Sequence, residues 1–414
     1  MSGAKTSTKV LLITLLSLFG IFYFAGDITV NPASRLATME SLVDYDTWYI
    51  DQSVFKSIDS IQIEGKTLST KPPMLSFMGA GVYWLYEQIT GHTFATHKAE
   101  AVYVVSLFFG LLAHGIFLFF FWKILQFWMR DKTHLALAYA CGALAYLGYA
   151  YSPSINNHSP AAACLVAAFY FAFQIRHLNS ERVCDWVYAG LFAGFSVTFD
   201  LASTFFCVPL FFYLCSKDIK KTFLYFVLPS LAPMIGHFAL TYFSTGSLLP
   251  IYARRDLYAH PGSYWLNPQG LDALDEPKLK YLFNSTFGWR GVFLISPILF
   301  YGLLVLKRNL KKGTEFYREY LLTAVFMLAL TIFVTFKTNN YGGICVGSRW
   351  YIVGMPFMTL WVVHWIESHF GQRGWSRTLF IALFVVTMIT VIDGLDAPWS
   401  EAEISRVFSR YLYQ

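Results

Sequence analysis

The chain has 414 residues, 56% of them hydrophobic and only 14% charged. Soluble domains carry about a quarter charged residues, so a water-soluble globule is excluded. The formal charge of +6 does not point to nucleic acid, because Lys and Arg cluster in short loops between apolar runs and there set membrane orientation.

The N-terminus, MSGAKTSTKVLLITLLSLFGIFYFAG, has the charge and apolar core of a signal peptide. It lacks a convincing small-residue cleavage site, so it reads as a retained first span. Apolar runs approaching the roughly 20 residues that cross a bilayer then recur. Spans are predicted near 9–26, 99–125, 134–151, 159–175, 185–199, 201–216, 222–243, 291–306, 319–336, 350–366 and 377–393. The expected fold class is therefore an all-α polytopic membrane protein of about 11 transmembrane helices, forming a single domain over 1–414.

Between the first two spans lies a long acidic loop, 27–98. It carries Asp27, Glu40, Asp44, Asp46, Asp51, Asp59 and Glu64, and then Lys71-Pro72-Pro73. Glu40, Asp44, Asp46 and Glu64 read as solvated surface. Asp59, flanked by Ile58 and Ile61 just before the Lys-Pro-Pro turn, is a candidate for chemistry. A positioned carboxylate serves as general base towards an alcohol, and a lysine neutralises a departing phosphate. Residues 72–92 read as an interfacial helix begun by the prolines, since a further span here would invert every later cation loop.

The remaining short loops place Lys123, Arg130 and Lys132, Arg176 and Arg182, Lys217 and Lys220, Lys307 and Arg308, and Arg373 and Arg377 on one side. With Lys5 and Lys9 that side is cytoplasmic by the positive-inside rule. The loops 27–98 and 244–290 and the segment 337–349 then face outward. Outward-facing polar groups include Asn156, Asn157 and His158, which suit sugar hydroxyls or simply cap a turn. Asp200 sits at the tip of a hairpin of two short helices, 185–216, where an ionisable group at membrane depth suggests function or an N-cap. The 244–290 loop mixes Tyr252, Tyr258 and Trp265 with Arg254 and Arg290. Tyr341, in a Gly-rich turn, precedes Arg349 at the mouth of the next helix, a geometry fit for phosphate. His114 and His237 lie in apolar runs and are expected to be packed side chains.

Six cysteines without C-x-x-C or metal spacing give no disulfide framework. No metal ligand set is assigned, although the outer carboxylates would permit a divalent ion. Neither a P-loop nor a Rossmann fingerprint is present, so cytoplasmic nucleotide use lacks a binding element.

One span, a long outer loop with an acid, and a Lys-Pro-Pro element opening an interfacial helix resemble a GT-C superfamily membrane glycosyltransferase. The likeness is to the bacterial branch related to protein O-mannosyltransferases and lipid A aminoarabinose transferases. SINNHSPAA, SVTFDLAS and YGG…GSRW also look like its elements. The resemblance implies an inverting enzyme of the bacterial inner membrane, with its active site on the extracytoplasmic face. It would move a sugar from a polyprenyl-phosphate donor to the hydroxyl of a lipid, glycan or protein acceptor. Asp59, then Asp27, would be the base; Lys71, Arg349 and Arg290 would hold the donor phosphate. Asn156, Asn157, His158, Asp200 and Tyr341 would bind sugar or acceptor. The chain departs from the family where Asn31-Pro32 replaces an Asp-Glu pair, which keeps a non-catalytic partner subunit in play beside the enzyme. A lipid-linked-sugar flippase is the other alternative, favoured only by the short hairpin.

Overall fold

The computed structural model describes residues 2–372 and 374–412. Helix α1 (Ser2–Phe24) leads to α2 (Val30–Asp44), a hairpin of β1 (Ser60–Ile63) and β2 (Lys66–Ser69), and α3 (Pro73–Thr90). The bundle continues through α4 (Lys98–Trp128), α5 (Leu135–Leu144), the single turn α6 (Leu147–Ala150), α7 (His158–Arg176), α8 (Val183–Phe199) and α9 (Thr204–Cys215). The short α10 (Ile219–Lys221) runs through a π-helical segment into α11 (Leu228–Thr245). Then follow α12 (Lys278–Thr286), α13 (Val292–Ile295), α14 (Phe300–Asn309), α15 (Tyr317–Lys337), α16 (Met355–His369), α17 (Trp375–Asp396) and α18 (Glu403–Leu412).

Among the described residues, six helices are long and apolar enough to cross a membrane: Thr6–Phe24, Lys98–Trp128, His158–Arg176, Ile219–Thr245, Tyr317–Lys337 and Trp375–Asp396. The other predicted spans are also helical but shorter or broken. Ser296-Pro297 interrupts 291–306, where α13 ends and a 3-10 turn begins, because proline lacks the amide that would continue the ladder. Arg349–Tyr351 forms a 3-10 turn, so the helix expected from residue 350 starts only at Met355.

Helix α7 packs against α4 and α8, and α8 against α11. Gly190 and Gly194 make the second crossing: a Cβ at either would lie 2.2 Å from Phe226 O or 2.4 Å from Ser230 O. Small residues four apart let membrane helices approach to backbone contact. α8 and α9 form the expected short hairpin with Asp200 at its tip.

Helix α3 starts on Pro73 at N1 and ends on Gly91 at φ 72°, a left-handed cap that glycine adopts without Cβ strain. It lies against α2 and exposes Phe77, Trp84, Leu85 and Ile89, an amphipathic face suited to a bilayer interface. Helix α2 itself is buried continuously from Asn31 to Ser41. Two outer elements were not anticipated: the hairpin and the C-terminal helix α18.

Candidate active site

The hairpin creates the first part of the site. Glu64 and Gly65 turn it with positive φ (51° and 78°), as a two-residue type I′ connection requires. Ile61 pairs with Leu68 and Ser60 with Ser69, so the next rung sets Asp59 opposite Thr70, whose amide donates to Asp59 O at 3.1 Å. Ser34 of α2 ties both strands down: its hydroxyl donates to Asp59 O (2.7 Å) and lies 2.6 Å from Ser69 Oγ. Lys71 Nζ thereby reaches Asp59 Oδ2 at 2.5 Å, with the two side chains 14% and 13% exposed.

A second pair comes from the bundle. His158 opens α7 and meets Asp200 Oδ2 through Nδ1 at 2.6 Å, both side chains being buried. The other oxygen of Asp200 accepts the Ala202 amide at 3.1 Å, capping the turn Leu201–Ser203. Burial would raise the Asp200 carboxyl, but His158, the Ala202 amide and Arg349 outweigh it and hold it below its ordinary value. The N-cap and the polar-contact readings of Asp200 are thus both realised, one on each oxygen.

Arg35 of α2 links the pairs. It is 1% exposed, donates to the Asn31 side chain, and reaches Asn157 Oδ1 at 2.8 Å. Burial and the nearby Arg349 lower its guanidinium to about 9, against the opposing pull of Asp59 and Asp200. Lys71 is brought down to about 8 by burial, with Asp59 opposing and Arg35 and Arg349 adding to the depression. Arg349 lies between the rings of Trp350 (5.2 Å) and Trp399 (4.9 Å). Its buried Nε and Nη1 have no hydrogen-bond partner, nor have Arg35 Nε and Ser348 Oγ.

Asp27 stands beside this group. It accepts from Thr29 N at 2.9 Å and from the Ser154 hydroxyl, and burial raises its carboxyl. Ser154 in turn accepts from Trp399 Nε1 at 2.9 Å, which connects Asp27 to the ring beneath Arg349. The second outer loop closes over the hairpin: Ile251 and Leu257 pack with Ile61 and Leu68. Tyr252 feels the charge of Asp200 and Tyr258 that of Asp59, while burial lifts both phenols to about 12.

Three predicted residues point elsewhere. Arg290 is fully buried, donates to Cys345 O, and pairs with Glu401 at 2.7 Å. Tyr341 is buried and donates to Glu276. Asn156 holds the loop, donating to Tyr151 O (2.8 Å) and Ser154 O (2.9 Å) and accepting the Ser159 amide (2.9 Å). The surface reading of Glu40 is also corrected. It is fully buried and accepts from Ser53 Oγ at 2.5 Å and Val54 N at 2.9 Å, bracing the loop. Asp44 is half-buried and accepts from Tyr83.

No protein-family model and no curated protein matches this sequence. Solved structures do match. ArnT from Cupriavidus metallidurans in the apo state aligns with TM-score 0.58 at 10% identity, over 92% of this chain and 63% of that one. Its complex with undecaprenyl phosphate aligns with TM-score 0.57 at 13% identity, over 91% and 63%. The oligosaccharyltransferase of Archaeoglobus fulgidus in complex with Zn and sulfate gives TM-score 0.57 at 13% identity, over 95% of this chain and 53% of that one. The chain shares its fold with ArnT and with the archaeal oligosaccharyltransferase. The chain spans less than two thirds of the length of the neighbours it matches.

Arg35 is the residue of this cluster that the sequence reading missed. A usable signal was present, since Asn31, Ser34, Arg35 and Thr38 stand at i, i+3, i+4 and i+7 of α2 and so share one polar face of that helix. The cluster's donor set does not fit a divalent metal. Asp59 and Asp200 already hold Lys71 and His158, and Arg35 and Arg349 beside them oppose a further cation.

Proposed function

We propose that this protein is a membrane glycosyltransferase that takes a sugar from a polyprenyl-phosphate donor and passes it to an acceptor hydroxyl on the extracytoplasmic face of a bacterial inner membrane. The observation that carries the reading is the unpartnered guanidinium of Arg349, set beside Lys71 and Arg35 with only Asp59 and Asp200 in opposition. Buried donors without partners are costly, and a phosphate supplies acceptor oxygens and negative charge together.

In this reading the donor phosphate binds Arg349, Arg35 and Lys71. Lys71 then exchanges its contact with Asp59 for the phosphate, which frees the Asp59 carboxylate. Asp59 takes the proton of the acceptor hydroxyl as that oxygen attacks the anomeric carbon. The bond from the anomeric carbon to the phosphate oxygen breaks, and the phosphate leaves with its electron pair against the three cations. His158 with Asp200, and Asn157, orient sugar hydroxyls; Asp27 is the second choice of base. ArnT has been captured with undecaprenyl phosphate, and that ligand supports a polyprenyl carrier here.

The test is mass spectrometry of lipid-linked sugars and envelope glycans in cells with and without the gene, followed by transfer assays on the purified protein. Loss of one glycan and accumulation of one lipid-linked sugar are expected. Identical profiles, with no binding of polyprenyl phosphate, would overturn the reading.

A further inference from the structure

The connection between α3 and α4 gathers ligand atoms that the transfer chemistry does not use. His92, His97 and Glu100 each bring one ligand atom to within 4.8 Å of the others. His92 Nδ1 is 3.2 Å from Glu100 Oε2, and the two imidazole rings lie 3.5 Å apart, face to face. Two imidazoles and one carboxylate form a ligand set that zinc uses with a water completing the tetrahedron. Bonds of about 2.0–2.1 Å to zinc place tetrahedral ligand atoms about 3.3 Å apart, close to the His92–Glu100 separation already present. The rings need only turn about their side-chain bonds to aim their nitrogens at a common point. Both have room to do so: the His92 side chain is 36% exposed and His97 is exposed.

The backbone holds the trio in place. Gly91 turns the chain at the end of α3, His97 caps α4, and Glu100 sits in the first turn of α4. Thr96 Oγ1 lies 3.1 Å from His97 Nδ1, the kind of outer partner that orients a ligating ring. Tyr86 of α3 touches the same group, its hydroxyl 3.5 Å from His92 Nδ1. Tyr86 also lines an apolar cavity of about 560 Å³ between α3 and α4, with Val82, Leu85 and Ile89 on one wall and Phe108 and Leu112 on the other.

We propose that His92, His97 and Glu100 bind one zinc-type divalent transition metal, which fastens the end of interfacial helix α3 to the start of membrane helix α4. The site is separate from the cluster around Lys71. The eighteen residues of α3 span roughly 27 Å at 1.5 Å per residue, and Lys71 lies beyond the opposite end. Zinc here therefore acts on the seating of α3, not on the reacting atoms.

The experiment titrates Zn²⁺ against the full-length, tag-free protein in detergent, in competition with a chromophoric chelator, and follows the melting temperature with and without zinc. One equivalent is expected to bind, and zinc to raise the melting temperature, because a ligand that binds only the folded state stabilises it by mass action. His92→Ala combined with His97→Ala should abolish both effects and leave the zinc-free melting temperature unchanged. Glu100→Gln should weaken binding at least tenfold. Because these side chains are exposed, a folding failure is separable from lost binding by the zinc-free melt. Absence of stoichiometric binding to the wild type, or binding equal in the double variant, would overturn the proposal. So would bound zinc without a thermal shift.

Discussion

Lys71 Nζ and Asp59 Oδ2 meet at 2.5 Å because a four-residue strand on each side of a Glu64-Gly65 turn brings positions 59 and 71 to the same end of one hairpin. The pair faces the unpartnered Arg349 donors and shares an electrostatic field with Arg35. An ammonium against a carboxylate is a resting arrangement that an incoming phosphate can open, so in the proposed mechanism the pair would couple donor arrival to release of the base.

The two members should consequently fail differently. Asp59→Asn removes the base and leaves Lys71 free for phosphate. Transfer should fall by about 10²–10⁴-fold, the usual range for lost general-base catalysis, while affinity for polyprenyl phosphate holds or rises. Lys71→Ala should instead weaken that affinity. Single-turnover transfer measured beside lipid-phosphate binding separates the two outcomes, and normal turnover by Asp59→Asn would remove Asp59 from the mechanism.

Burial brings Lys71 down to about 8. A lysine with a lowered value carries its charge below that pH and loses it as pH rises through it, so donor binding should be strongest below pH 8. It should weaken severalfold between pH 7 and 9. In Lys71→Arg the guanidinium stays charged across this range, and the fall between pH 7 and 9 should disappear. Binding isotherms of polyprenyl phosphate at stepped pH check the prediction, and an identical profile in the variant would refute it.

Gly342 supports Arg349 from behind. Its φ is +92°, and a Cβ there would stand 2.6 Å from Arg349 Cγ and Nε. Gly342→Ala adds strain in a left-handed conformation and displaces the guanidinium from between Trp350 and Trp399. Donor affinity should fall to the level of Arg349→Ala while the bundle still folds, which a melting curve measured with the binding assay would establish.

Arg290 belongs to stability. Its contacts with Glu401 and Cys345 O fasten α18 and the 341–349 turn to the bundle. Arg290 is fully buried while Glu401 is 30% exposed, so Arg290→Ala loses these contacts and leaves a cavity, and should unfold at lower temperature. In the fraction that folds, donor affinity should stay within about twofold of wild type. A large selective loss of donor binding would return Arg290 to the phosphate site.

How far these elements could be read from the chain follows from their physics. Apolar runs announced the bundle because each helix must hide its backbone from lipid. Proline at 297 and the 3-10 turn at Arg349–Tyr351 broke or delayed two of them, a detail that hydropathy does not register. Lys71-Pro72-Pro73 marked the start of α3 through a purely local signal. The hairpin did not announce itself: its strands are four residues long, and their partners in the second outer loop are about 190 residues away. Arg290, Tyr341 and Asn156 looked equivalent to Arg349 and Asn157 as residue types; only tertiary contacts distinguish side chains that hold loops from those that line the cluster.

Asn31 explains why the cluster carries surplus positive charge. Its side chain accepts from Arg35, at a place where the resemblance leads one to expect an acid. An amide satisfies the guanidinium geometrically without neutralising it, so Arg35 draws on Asp59 and Asp200 for compensation. Asn31→Asp would supply a local counter-charge at hydrogen-bond distance. Arg35 would then be held protonated to higher pH, and the site would lose part of its attraction for phosphate. Polyprenyl-phosphate affinity should drop severalfold, with the largest loss at low ionic strength where charge is least screened. Transfer should fall with it. If transfer rises in Asn31→Asp, position 31 and not Asp59 provides the base, and the asparagine marks a chain whose catalysis has been reduced.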